Sequence, residues 1–141
     1  MKFLKFFLAL TLMLVMTACP SKYDDKRAES LVNSYHDSKG WTPEELDEAI
    51  EVYCEYLKAE VEAFREALNS SSSKEKVDES YTFGVRNKGG KELENILFAL
   101  MKDDKLTSSQ IESVMKAKTK YKDDMIELEK EYNKLAEKSA D

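Results

Sequence analysis

The sequence predicts an all-α fold, either a three- or four-helix bundle or a long helical hairpin. Two long segments carry apolar residues at three- and four-residue spacing, the period of one helix face. Each of these segments opens with residues that cap a helix N-terminus. The 141 residues include only four Gly and two Pro, so little interrupts them. The length suits one domain, placed at 27–141.

The first predicted helix runs from Asp24 to His36, with Ala28, Leu31, Val32 and Tyr35 as a modest stripe that ends before Gly40. The next entrance is Trp41-Thr42-Pro43-Glu44-Glu45-Leu46. Thr42 suits the N-cap, where its hydroxyl accepts from an orphan N–H. Pro43 falls at N1, where a missing N–H costs nothing. Glu45 completes a capping box, and Trp41 with Leu46 forms the hydrophobic staple. Leu46, Ile50, Tyr53, Leu57, Val61, Phe64 and Leu68 then form one stripe, so a helix is expected from about Pro43 to Leu68.

Residues 69–90 read as a long loop. Ser70 to Ser73 are four consecutive serines, and Gly84, Gly89 and Gly90 lie at the far end. Loops of this length are usually functional or disordered. Because loop closure depends weakly on length, deleting the serines is expected to leave stability nearly unchanged. Within the loop, Tyr81 to Arg86 alternates like a strand. That segment is either a plug closing one end of the bundle or a recognition surface, with Tyr81, Phe83 and Arg86 as candidate partner contacts. Tyr56, off the main stripe of its helix, either covers the short helices or joins that contact surface.

A short helix from Gly90 to Lys102 follows, with Leu93, Ile96, Leu97, Leu100 and Met101 on one side. Asp103-Asp104-Lys105 forms a tight connection. Thr107 and Gln110 repeat the capping box, and Leu106 and Ile111 repeat the staple. Ile111, Val114, Tyr121, Met125, Leu128, Tyr132 and Leu135 carry the last helix to about Glu137, with Lys118 filling the one gap and snorkelling its stem along the stripe. The sustained rhythm favours long helices packed at a shallow angle, as in bundles and coiled coils. In the hairpin alternative, the core is completed by dimerisation.

The N-terminus reads as an address. Lys2 and Lys5 precede a run from Phe6 to Met16 that is apolar except for Thr11. This run is shorter than the roughly 20 residues that cross a bilayer, and it suits the apolar region of a secretory signal peptide. Met16-Thr17-Ala18-Cys19 resembles the lipobox of bacterial lipoproteins, with Met where Leu is commonest. The resemblance covers residues 1–19 and implies removal of a signal peptide, 1–18, with acyl chains such as palmitate on Cys19. More than one chain makes anchoring stable, at about 0.8 kcal/mol per buried methylene. The competing reading is an ordinary signal peptide or signal anchor with a chance cysteine. Residues 19–26 are then a tether. Pro20 rather than Asp after the cysteine favours the outer membrane over the inner membrane by the enterobacterial pattern. Ser21 to Lys26 is faintly similar to the Lys/Asp-rich export signals of Bacteroidetes surface lipoproteins. A Gram-positive host also fits.

The chain has 22 Lys+Arg and 28 Asp+Glu, and 20 against 28 without Lys2 and Lys5. That acidity argues against nucleic acid, whose phosphates need clustered excess base. One His and two Cys supply neither a multi-His metal site nor a disulfide framework, and no metal or non-covalent cofactor is expected. Cys54 sits at the edge of the Ile50–Leu57 stripe and reads as a small hydrophobe at the core border. Two alternatives are a nucleophile paired with His36, for which no orienting group or oxyanion hole is apparent, and an intermolecular disulfide in an oxidising envelope. His36 with Asp37 would be half a metal site, but a histidine at a helix C-terminus also satisfies the helix dipole. Glu44, Glu45, Asp47 and Glu48 sit where the dipole favours acids. Asp123-Asp124 is solvated charge, and Asp103-Asp104 lacks the spacing of an EF-hand.

Two functional classes follow. The first is a lipid-anchored, non-catalytic protein-binding or structural module that meets another envelope protein or itself, with an immunity- or inhibitor-type lipoprotein as its sharper form. The second is a small-ligand carrier or enzyme with a pocket between helices. A filled apolar core with Cys54 at its border favours the first, and an enclosed cavity with convergent polar groups near His36 and Cys54 favours the second.

Overall fold

The computed structural model describes residues 23–135. The expected signal peptide, Cys19 and the expected helix end at Glu137 lie outside the described residues. Six helices occur among the described residues: α1 (Asp25–Ser38), α2 (Pro43–Ser70), α3 (Lys74–Ser80), α4 (Phe83–Arg86), α5 (Lys88–Lys102) and α6 (Ser108–Asn133). The fold is all-α, as the periodicity predicts. Its four main helices run up, down, up and down, with α3 and α4 inserted between the second and third.

Both capping boxes form. Thr42 Oγ1 accepts from Glu45 N at 3.2 Å, and Thr107 Oγ1 accepts from Gln110 N at 3.1 Å. The Glu45 and Gln110 side chains accept the return bonds from the cap N–H groups. α1 ends as Lys39 turns left-handed at φ 55°, and Gly40 N donates to Tyr35 O at 2.8 Å. Trp41 Nε1 then donates to Leu31 O at 2.7 Å, fastening α1 to the start of α2.

α2 is the central column, about 42 Å long at 1.5 Å per residue. Against it α6 runs parallel, since Gln110 bonds Asp47 near both N-termini and Tyr132 meets Phe64 near both C-termini. α1 and α5 cover another side of its upper part. Every stripe residue from Ile50 to Leu68 is buried, and so are Ala49, Val52, Tyr56 and Ala67 outside the stripe. The wider burial follows from α2 having three long neighbours, not one. α6 rests chiefly on α2, and only Val114 and Leu128 are buried along it.

The structure corrects the 69–90 loop. α2 continues to Ser70, and Ser73 is itself buried and caps α3, accepting from Lys76 N at 3.3 Å. Val77, one turn on, is fully buried against Val61, Phe64, Ala67, Leu68 and Leu128 in a second apolar cluster at the lower end. The strand-like alternation of Tyr81 to Arg86 is overturned as well, because Phe83–Arg86 winds into one helical turn that leaves Val85 exposed. Gly89 and Gly90 belong to the first turn of α5 and are buried. Their N–H groups donate to the Asp25 carboxylate at 3.4 and 3.2 Å. The body accordingly begins before residue 27: Tyr23 packs edge-on against Tyr56, with ring centroids 5.3 Å apart.

Candidate functional site

Two features of the described residues qualify, a polar belt inside the bundle and an open apolar groove on its flank.

The belt is built from tyrosines and carboxylates on facing helices. Tyr53, fully buried on α2, donates to Glu94 Oε2 on α5 at 2.6 Å. Lys118 Nζ on α6 reaches the same oxygen at 3.1 Å, and Lys91 Nζ reaches Oε1 at 2.9 Å. The snorkelling lysine of the sequence thus ends on a buried partner, and its ammonium lies 5.1 Å from the Tyr121 ring centroid. Burial pushes the Glu94 carboxyl up, but the hydrogen bonds from Tyr53, Lys91 and Lys118 outweigh it and hold it below the usual range. Burial, then the Glu94 contact, pushes Tyr53 far above the ordinary phenol range. Tyr53 therefore stays a donor and Glu94 an acceptor. Both carboxylate oxygens of Glu94 are engaged, so the cluster ties three helices together.

Lower in the bundle, Tyr81 donates to Glu60 at 3.2 Å, and Tyr121 hydrogen-bonds the same carboxyl. Here burial wins, and Glu60 is raised despite its two donors. At the lower end Tyr132 donates to Asp78 at 3.0 Å. Acids placed opposite tyrosines are how this acidic chain satisfies its half-buried phenols.

The groove lies between α2 and α6, which supply all its lining residues, with a volume of about 310 Å3. Cys54, Leu57, Val61, Ala117 and Tyr121 make its largely apolar floor, and Lys58, Lys116, Lys120 and Asp124 stand along the rim, Lys120 paired with Asp124. It exists because Cys54 and Ala117 are small where larger side chains would fill the space between two helices. Burial raises the Cys54 thiol above its ordinary value, partly opposed by Lys58, so it is protonated at neutral pH and a poor nucleophile.

His36 is exposed in the last turn of α1 and is not among the groove residues. The structure does not bring the Cys54 and His36 pair together in this groove. No group of three or more metal-ligating side chains occurs among the described residues. Of the candidate contacts, Tyr56 is buried between Tyr23, Tyr53 and Phe83, in keeping with the first of its two readings, a cover for the short helices. Tyr81 packs on Phe64 and Phe83 on Tyr56, while Arg86 is exposed, and all three line a second cleft of about 350 Å3. The groove itself is missing from the sequence reading. Its only trace there is Cys54 at the stripe's edge.

No protein-family model, curated protein or solved structure matches this chain. No helix of the described residues is long and apolar enough to cross a membrane.

Proposed function

We propose that this chain is a lipid-anchored protein of the bacterial cell envelope, held at the outer membrane by acyl chains on Cys19, whose helical body acts as a non-catalytic protein-binding module. The α2–α6 groove carries this reading. It is partly open to solvent, with a largely apolar floor and both lysines and Asp124 at its rim, and a partner protein covering it would fit that character. The buried polar groups support it too, because Glu94, Tyr53 and Lys118 are consumed in holding helices together. Tyr23 follows Cys19 by four residues, a span of at most about 14 Å. Tyr23 packs on Tyr56 near the middle of α2, so the anchor would tether the bundle at mid-height rather than at one end.

The groove's volume favours a second reading, a small-ligand carrier, since pockets for small ligands begin near 300 Å3. Its open side argues for a partner that covers the groove over a ligand that it encloses.

Two measurements test the main reading. Metabolic labelling with an alkynyl fatty acid should mark the wild type and not Cys19→Ser, which should leave the membrane fraction. Photo-crosslinking in intact envelopes from a probe on Lys116 should give a discrete protein adduct. Unchanged membrane retention of Cys19→Ser removes the anchor, and crosslinking to lipid or small molecules alone removes the protein-binding role.

A further inference from the structure

The root of the tether and the α4 turn share one flank of the bundle. The ring of Tyr23, four residues past Cys19, lies 5.3 Å from that of Tyr56 and 6.2 Å from that of Phe83 on α4. Phe83 packs inward onto those rings. Two residues on, Val85 is 75% exposed, more than any other large apolar side chain among the described residues. A lone exposed Val is ordinary on a protein surface. This one stands on the turn that packs against the tether root, and a bilayer holding Cys19 lies within about 14 Å of Tyr23.

Charge points the same way. The chain carries −6, yet Ser80 to Lys91 holds Arg86, Lys88 and Lys91 and no acid. Lys91 is paired with Glu94. Arg86 and Lys88 are exposed and make no ion pair among the described residues. Of the acids near this turn, Asp25 accepts from the Tyr23 hydroxyl and from Gly89 and Gly90 N–H, Glu29 flanks Gly89, and Glu66 shares the second cleft with Arg86 without pairing to it. Cations close to an anionic bilayer are drawn to its headgroups, and an apolar side chain between them enters the interface. One Val and two cations bind weakly from free solution. A four-residue tether makes the contact intramolecular, at an effective concentration on the order of millimolar.

The orientation is compatible with the groove. On α2, Tyr56, Ala63 and Ala67 face α4 and the second cleft, while Cys54, Lys58 and Val61 line the groove. At about 100° per residue the two sets point to opposite sides of the helix. A bundle lying on its α4 flank leaves the α2–α6 groove on the aqueous side.

Resting on the lipid-anchor reading, we propose that the α4 turn is a membrane contact: the bundle lies side-on at the bilayer, with Val85 in the interface and Arg86 and Lys88 on anionic phospholipid headgroups.

The test installs the anchor chemically. The mature chain, residues 19–141 with Cys54→Ala, is coupled through Cys19 to a maleimide phospholipid in vesicles containing brominated acyl chains, which quench tryptophan at the interface. Val85→Trp is compared with Ile126→Trp, an exposed position on α6, and each is read against the unsubstituted chain because Trp41 is common to all. On vesicles rich in phosphatidylglycerol, Val85→Trp should be quenched and blue-shifted and Ile126→Trp should not. Arg86→Glu with Lys88→Glu, folded by circular dichroism, should lower the ratio of docked to undocked protein at least about tenfold, and high salt or pure phosphatidylcholine should lower it as well. An unquenched Val85→Trp overturns the proposal. So does equal quenching at both positions, quenching that survives the charge reversal or is as strong on phosphatidylcholine, or a blue shift without quenching that grows with protein density, the mark of a second copy. Because coupling supplies the anchor, the two readings fail separately: membrane retention of Cys19→Ser in cells refutes acylation, and failure on these vesicles refutes only the α4 contact.

Discussion

Gly90→Ala gives the sharpest test of the packing. In a helix, Ala is favoured over Gly by about 1 kcal/mol, so sequence reasoning alone expects this change to stabilise α5. The structure reverses the sign. A Cβ on Gly90 would lie 2.6 Å from the Tyr23 hydroxyl and closer still to the Tyr56 ring. Tyr56 is 4% exposed and wedged among Tyr53, Phe83 and Tyr23, so it has little freedom to withdraw. Overpacking of this kind costs about 1–3 kcal/mol, occasionally more. With two clashing partners the upper part of that range applies, and the net loss is about 1–2 kcal/mol after the helix gain. For a domain of this size that lowers Tm by about 4 °C or more. Gly84→Ala is the control, because a Cβ there meets nothing within 4 Å. Thermal and urea unfolding should show Gly90→Ala destabilised and Gly84→Ala unchanged or slightly stabilised. In a Tyr56→Leu background the Gly90→Ala penalty should shrink, as expected for contacting residues. A Gly90→Ala variant as stable as Gly84→Ala would refute the close approach of α5 to Tyr56 and Tyr23.

Further predictions concern the belt, the lower cluster and the thiol. Tyr53→Phe should cost about 1.5–3 kcal/mol in urea unfolding, because it removes a hydrogen bond to a charged, buried Glu94; a negligible change would show that the bond contributes nothing. Ser73→Ala should cost about 1 kcal/mol through loss of the α3 cap. Deleting Ser70 to Ser73 should accordingly lower Tm clearly, the reverse of what a slack loop allows, and an unchanged Tm would restore the loop reading. Glu60 holds its proton more tightly in the folded chain than in the unfolded one, so stability is fully present below the ordinary Glu pKa and falls as pH rises through the folded value. Glu60→Gln should therefore raise Tm at neutral pH, with the advantage fading toward acid; a pH-independent difference would refute the shift. Cys54 should react with iodoacetamide more slowly than a free thiol at neutral pH, and an equal rate would show an accessible thiolate.

The main helices were legible because their signals are local. Thr42, Pro43, Glu45 and Leu46 lie within five residues of one another, and a capping box needs only those neighbours to form. The stripes were legible because a helix facing one core must repeat its apolar residues at its own period. What failed was local information that tertiary contact overrides. Four serines and three glycines look like slack chain, yet Ser73 caps a helix whose Val77 the lower cluster buries, and Gly89 and Gly90 are small so that α5 can approach Asp25, Tyr23 and Tyr56. A Ser three residues before Lys76 and four before Val77 was the available signal for α3. The alternation of Tyr81 and Phe83 found no neighbouring strand to pair with, and their rings were instead claimed by Phe64 and Tyr56.

By itself, then, the sequence determined the helical class, the entrances of α2 and α6 and the apolar side of each main helix. It also carries the lipobox-like segment Met16 to Cys19 on which the proposed anchorage depends. Only the tertiary structure decided that α2 stands at the centre, that Lys118 ends on Glu94, and that an apolar groove opens between α2 and α6. The physical reason is reach: caps and stripes arise from residues within a turn or two of each other. A groove or a buried ion cluster depends on side chains tens of residues apart, and their proximity exists only after the helices have packed.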